Sequence, residues 1–290
     1  MRPFMPLFPL SRMRELRALR LMLAPAVAPR LRARVTILCF GSLLVATSAQ
    51  AAGCLFESLG EGHVAEIIDG RSFRLTDGRE IRLAGIEAAP AAAGTSDRTA
   101  ALAAILADHD VTLRDEDDSP DRYGRQTAFV FLKSSDSQSS DILVQSLLLS
   151  AGAALDTADV ADKDCAAILM AAEAEARRTK KGIWGGAAVI KNAEIADDIL
   201  ARIGRFTVVE GKVLSVRQAG ATVYLNFGRN WTRDFAVTIS KRMMPAIESA
   251  GIALKSLENR RIRVRGWVEA RPGPRMEVSR AAQIEVLGGS

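Results

Sequence analysis

Histidine is scarce: the 290 residues contain two, His63 and His109. A zinc centre or a nucleophilic triad needs imidazole at set positions relative to Cys, Asp or Ser, and no spacing in the chain resembles either. His63 reads as a polar residue at a strand edge and His109 as a loop residue. Cysteine is almost as rare, at three residues, which leaves room for one bridge at most. Long apolar runs are missing too. The clearest, from Val35 to about Thr47, is too short to span a bilayer comfortably. Neither half shows a repeat period, so repeat architectures are set aside.

That short apolar run has a meaning of its own. It follows an arginine cluster (Arg30, Arg32, Arg34) and ends on Ala49-Gln50-Ala51. This is the three-part pattern of a Sec-type secretory signal. Residues 1–51 are therefore expected to be cleaved, leaving a periplasmic or secreted protein without a stable membrane span. The basic region is long for a signal, so translation from an internal methionine such as Met22 fits as well. The alternative is an uncleaved anchor. A lipoprotein start at Cys54 is disfavoured because Ala51 stands where leucine is wanted.

Removing the leader changes the charge. The chain carries net +5, but residues 1–51 hold eight arginines and one glutamate, so the remainder is net −2. Residues 52–202 count 16 basic and 26 acidic groups, and residues 203–290 count 15 and 7. The high isoelectric point is a property of the leader, whereas the opposite sign of the two halves is informative. Two cysteines remain after cleavage, Cys54 and Cys165. In an exported chain an even pair predicts a disulfide, which would stabilise by roughly 4 kcal/mol through closure of so long a loop. The alternative is two buried thiols.

Beyond the leader, the pattern predicts a domain over 52–186, a helical linker over 187–202 and a second domain over 203–290. In the first, "HVAEIID", "SFRLTD" and "REIRLAGI" alternate as strands. Asp77-Gly78 signals a two-residue hairpin turn with positive φ at both positions. A helix from about Asp97 to Ala107, strands "VTLRD" and "QTAFVFLK", a helix capped by Asp141 and ended by Gly152, and a helix over about Asp162 to Lys181 follow. The class is α+β, mainly β. The second domain shows five short strands and one helix near Lys241 to Ser249, the pattern of a small closed barrel.

Three separated stretches, "IIDGRSFRLTDGREIRLAGIEAAP", "DRYGRQTAFVFL" and "AAEAEARRTKKGIW", resemble in order and spacing the staphylococcal-nuclease (thermonuclease) family over about residues 62–186. The resemblance implies an OB-type five-stranded barrel with three helices, and calcium-dependent cleavage of DNA and RNA. Residues 203–290 are similar to an appended OB-fold domain. By position, Arg82 and Arg125 match the family's phosphate-clamping arginines, with Tyr123 and Gly124 forming the turn that presents Arg125. Planar guanidinium forks suit that task; the alternative is solvated strand charge. The metal site departs from the family. Asp69-Gly70-Arg71-Ser72 stands where Asp-Gly-Asp-Thr is usual, so a cation replaces one carboxylate. Glu87 matches another metal-ligand position and, with Asp69, is what remains to hold Ca2+ if the protein is active. The general base falls on Pro90, or Ala91 after a one-residue slip. Phosphodiester hydrolysis needs charge neutralisation and a proton acceptor, and calcium needs several hard oxygens. The expectation is a degenerate site in which Arg71 takes the metal's place and holds phosphate.

In the second domain Arg261, Arg263 and Arg265 alternate along one strand with Trp267 in phase, so they share a face. A basic strand with an aromatic suits a nucleic-acid backbone and a stacked base, and Tyr224 and Trp231 are further platforms. Two alternatives stay open: Trp267 in the core with solvated arginines, or arginines complementing the acidic first domain. Three functions follow. They are a binder of nucleic acid or other polyanions, an active metal-dependent phosphodiesterase, and a non-catalytic envelope scaffold.

Overall fold

The computed structural model describes residues 54, 56–89, 95–115, 119–133, 141–186 and 189–288. The expected leader, Pro90 and Ala91 lie outside them. Strand β1 (Glu57–Asp69) is long and bent, with Gly60 at φ +97° where its register shifts. Its first half pairs with β5 (Asp110–Asp115) and its second with β2 (Ser72–Leu75). β2 pairs with β3 (Glu80–Leu83), and β5 with β6 (Gln126–Leu132). A parallel β3–β6 pairing closes the ring. Alternation along these strands sends Val64, Phe73, Leu75, Ile81, Leu83, Val111, Leu113 and Val130 inward, giving the five-stranded OB-type barrel.

The β2–β3 turn differs from the sequence reading. Gly78 N donates to Leu75 O at 3.0 Å and Leu75 N to Arg79 O at 2.9 Å, and of the turn residues only Gly78 has positive φ, +91°. This is a three-residue loop with a bulge, so Asp77 keeps an ordinary backbone and uses its carboxylate to hold Arg79.

Strand β4 (Ile86–Ala88), helix α1 (Thr95–Leu106), strand β7 (Ile142–Leu143), helix α2 (Val144–Ser150), strand β8 (Ala154–Asp156) and helix α3 (Lys163–Arg178) complete the first domain. β4 pairs with β8 outside the barrel. Asp141 does not cap α2: its carboxylate accepts from Arg114 at 2.9 Å, and Leu143 occupies the cap without a side-chain bond. Gly152 does end that helix, at φ +67°, with Lys181 O only 2.2 Å from where a Cβ would sit. α3 starts on Asp162, whose carboxylate accepts from Cys165 N at 2.7 Å, and ends on Arg177 and Arg178, favourable against the helix dipole. Cys165 forms a disulfide with Cys54, with Cα atoms 4.4 Å apart, so the paired reading of the cysteines holds.

The expected helical linker is partly strand. β9 (Ile190–Asn192) adds in parallel to the second sheet before the short helix α4 (Ala196–Leu200). β10 (Phe206–Lys212), β11 (Ser215–Ala219), β12 (Thr222–Asn226), β13 (Ala236–Ser240), α5 (Met244–Ser249), β14 (Arg261–Ala270), β15 (Pro274–Val278) and β16 (Ile284–Val286) follow. The sheet runs β11-β12-β13-β15-β14-β10. Only Val213 and Leu214 separate β10 from β11, and their amides bond Arg260 O and Asn226 O. The two strands are one bent strand that meets β14 at one end and β12 at the other, and β13–β15 is parallel. The second barrel thus repeats the topology of the first. Among the described residues no helix is long and apolar enough to cross a membrane.

Candidate functional site

The β2–β3 register sets Ser72 opposite Arg82, and Leu83 N donates to Arg71 O at 2.9 Å. Arg71 and Arg82 therefore emerge side by side. Asp69 Oδ1 accepts from Arg71 N at 2.8 Å, which closes the turn between β1 and β2. Gly85, at φ +72°, redirects the chain into β4 and brings Glu87 beneath both guanidiniums. Glu87 Oε1 accepts from Arg71 Nη1 and, at 3.2 Å, from Arg82 Nη2. The group is largely enclosed, with the Glu87 side chain 11% exposed. Burial pushes the Glu87 carboxyl up against the pull of both arginines, and burial lowers the Arg71 guanidinium against the pull of Glu87.

This donor set does not fit a divalent cation. Calcium takes six to eight oxygens, and the carboxylate oxygen aimed inward here already carries two guanidinium contacts. Among the described residues no group of three or more His, Cys, Asp or Glu could hold a metal ion. Arg71 meets Glu87 in the place where a second carboxylate was wanted.

Arg125 lies at the start of β6 and is held by Asp121. The Asp121 carboxylate accepts from Arg125 Nε at 3.0 Å and Nη2 at 2.7 Å, and from the backbone N–H of Tyr123 and Arg125. The Arg125 guanidinium holds the Asp121 carboxyl down at about 2. The parallel β3–β6 register sets Arg82 opposite Thr127, two residues past Arg125. Tyr123 is 67% exposed, with the guanidinium carbons of Arg122 and Arg125 at 4.9 and 5.1 Å from its ring. Asp121 was missed in the sequence, although its place four residues before Arg125 signalled the pairing.

Residues 80–186 match the family model described as Staphylococcal nuclease homologue. The chain carries a domain of that family. No curated protein matches the chain. The match begins at β3 and ends after Trp184, so it takes in Arg82, Glu87, Arg125 and α3, while the barrel's first two strands precede it. In this nuclease-homologue domain the histidines stand apart. His63 bridges Asp110 and Asp108 at 3.0 and 3.2 Å, which raises its pKa, and His109 Nδ1 lies 2.8 Å from Ala107 O.

The expected arginine face of β14 is corrected. Arg263 is taken by Glu210, at 2.7 Å, and by Glu285. Arg265 is 4% exposed and reaches into the nuclease-homologue domain, donating to Glu173 Oε2 and Oε1 at 2.8 and 2.9 Å and to Asp156 O at 2.9 Å. Neither can face a nucleic acid. Arg261 is exposed, and Trp267 is 45% exposed, edge-on to Phe206 with centroids 6.2 Å apart. The alternation was read correctly, but it lands Arg263 on carboxylates of its own barrel and Arg265 on the other barrel. Beside them Leu155, Ala176, Trp184, Phe206 and Val208 form an apolar cluster shared by the two barrels.

Proposed function

We propose that this is an exported, metal-independent binder of phosphodiester backbones, built on a nuclease-type fold that no longer hydrolyses. One observation carries the reading: the Glu87 oxygen is held between Arg71 and Arg82. A carboxylate in that state neither recruits calcium nor takes a proton from water, whereas the two guanidiniums around it hold a surplus positive charge suited to phosphate. Arg125 with the exposed ring of Tyr123 supplies a second contact beside the first. Export rests on the basic and apolar segments before Ala49-Gln50-Ala51 and on the disulfide, which persists in oxidising compartments.

The test uses single-stranded DNA and RNA with calcium titrated against EDTA. Expected is no metal-dependent cleavage, with binding that survives EDTA and weakens as salt rises. Glu87→Gln removes the internal counter-ion, so binding should tighten several-fold while stability falls. EDTA-sensitive cleavage by the unaltered protein would restore the phosphodiesterase reading and end this one. The scaffold reading is favoured by the Arg265–Glu173 contact, and it is left standing if neither binding nor cleavage is seen.

A further inference from the structure

A second site lies on the outer face of the second barrel. The β11–β12 register sets Arg217 opposite Tyr224, and Asn226 continues across Ala236 to Arg275 on β15. Their strand neighbours Val223, Leu225, Val237 and Met276 are buried, so by alternation Arg217, Tyr224, Asn226 and Arg275 all stand on the outside. The loop after β12 brings Arg229 and Trp231 over this face. Together they bound a cleft of about 800 Å³.

The chemistry of the cleft is one-signed. Three arginines line it and no carboxylate does. Arg275 Nε is buried with no hydrogen-bond partner, and its guanidinium carbon sits 5.3 Å from the Tyr224 ring centroid. Trp231 is 66% exposed, an aromatic surface left in water at the rim of a basic groove. Beyond Tyr224 the lining becomes mixed, because Glu269 and Glu277 stand with Arg271 and Arg275 around the next hollow. The carboxylate-free stretch therefore ends within the barrel's own width.

We propose that this cleft binds a short single-stranded nucleic acid, with phosphates on Arg217, Arg229 and Arg275 and a base stacked on Trp231. Stacking platforms beside a positive groove are the two requirements of such binding, and one barrel takes from about four nucleotides upward. A duplex keeps its bases stacked on each other and out of reach of Trp231. A neutral oligosaccharide would leave the three guanidinium charges without counter-ions. The site is separate from the arginine cluster around Glu87 and does not depend on it.

The experiment is fluorescence anisotropy of a labelled oligothymidylate with the full chain in EDTA, over a range of salt. Expected is saturable binding whose log–log salt dependence has a slope of about −2, from roughly −0.7 per phosphate contacted. Trp231→Ala, at an exposed position that leaves the fold intact, should weaken binding by roughly five-fold or more. Arg217→Ala with Arg229→Ala should flatten the slope by about 1.4. All titrations carry Arg82→Ala, which silences the first-barrel site, and Arg178→Ala, at an exposed charge outside the cleft lining, serves as the control and should leave binding unchanged. Absence of binding overturns the proposal, as does binding that Trp231→Ala leaves untouched. Competition by a sulfated polysaccharide with no effect of Trp231→Ala would mark a general polyanion surface, and the proposal falls. Loss of binding with Arg82→Ala alone would place the ligand in the first barrel, refuting this site while leaving the earlier reading intact.

Discussion

Replacing Arg265 by alanine tests the contact on which the joined barrels rest. Its side chain is 5% exposed and that of Glu173 1%. The guanidinium makes two charge-assisted bonds to Glu173 and one to Asp156 O. Alanine removes all three and leaves Glu173 with Arg177, at 3.1 Å, and Asp156 N, at 2.7 Å, as its partners. Breaking a buried pair from one side costs about 3–5 kcal/mol, because a charge remains without its counter-ion. Arg177, divided between Glu173 and Glu285 and itself partly solvated, offsets some of this, and we expect about 3 kcal/mol. Urea unfolding followed by circular dichroism gives the total. Emission from Trp184 and Trp267, which flank the contact, reports whether the barrels separate first. Combining Arg265→Met with Glu173→Leu removes both charges and should recover most of the loss. A single mutant within 1 kcal/mol of the unaltered protein would refute the reasoning, and so would a double mutant worse than the sum of its parts.

Burial raises the Asp156 carboxyl from 3.8 to about 7, against the pull of Arg265. The folded state then keeps a proton that the unfolded chain releases, so stability should fall as pH climbs from about 4 to about 7, by at most about 4 kcal/mol. Asp156→Asn keeps the bond from Ala158 N and should flatten that slope in pH-dependent melting; an unchanged slope would assign it to another group. Reduction of the Cys54–Cys165 bridge, or Cys54→Ser with Cys165→Ser, should cost about 4 kcal/mol on the chain-entropy account, read by urea midpoint; two freely alkylated thiols in the non-reduced protein would contradict the bridge. Gly152→Ala should destabilise by about 3 kcal/mol or more, since the new Cβ meets backbone at a positive-φ position; a neutral melting temperature would show that the α2 terminus gives way easily.

Much of the first barrel was legible because its signals are local. Alternation marked its strands, Asp-Gly marked the hairpin, Gly152 and Asp162 marked helix ends, and the three motifs carried the family. The three-residue loop escaped because turn type depends on which backbone groups pair across the strands. β9 escaped because parallel pairing leaves no signature in three residues read alone. At the site, the sequence showed a cation where a carboxylate was wanted, and the structure added what that cation does: Arg71 closes on Glu87.

By itself the sequence determined its strands by their alternation, its nuclease-type barrel by likeness to a family, its pair of cysteines, the opposite charge of its halves and the replacement of site carboxylates by Arg71 and Pro90. Tertiary structure decided where the charges go. A period of two puts Arg261, Arg263 and Arg265 on one face of β14, but it cannot say whether that face meets water or Glu173, which lies 92 residues away in the chain. Partners so distant in sequence are chosen by how two barrels pack, and burial then turns a surface charge into a structural one.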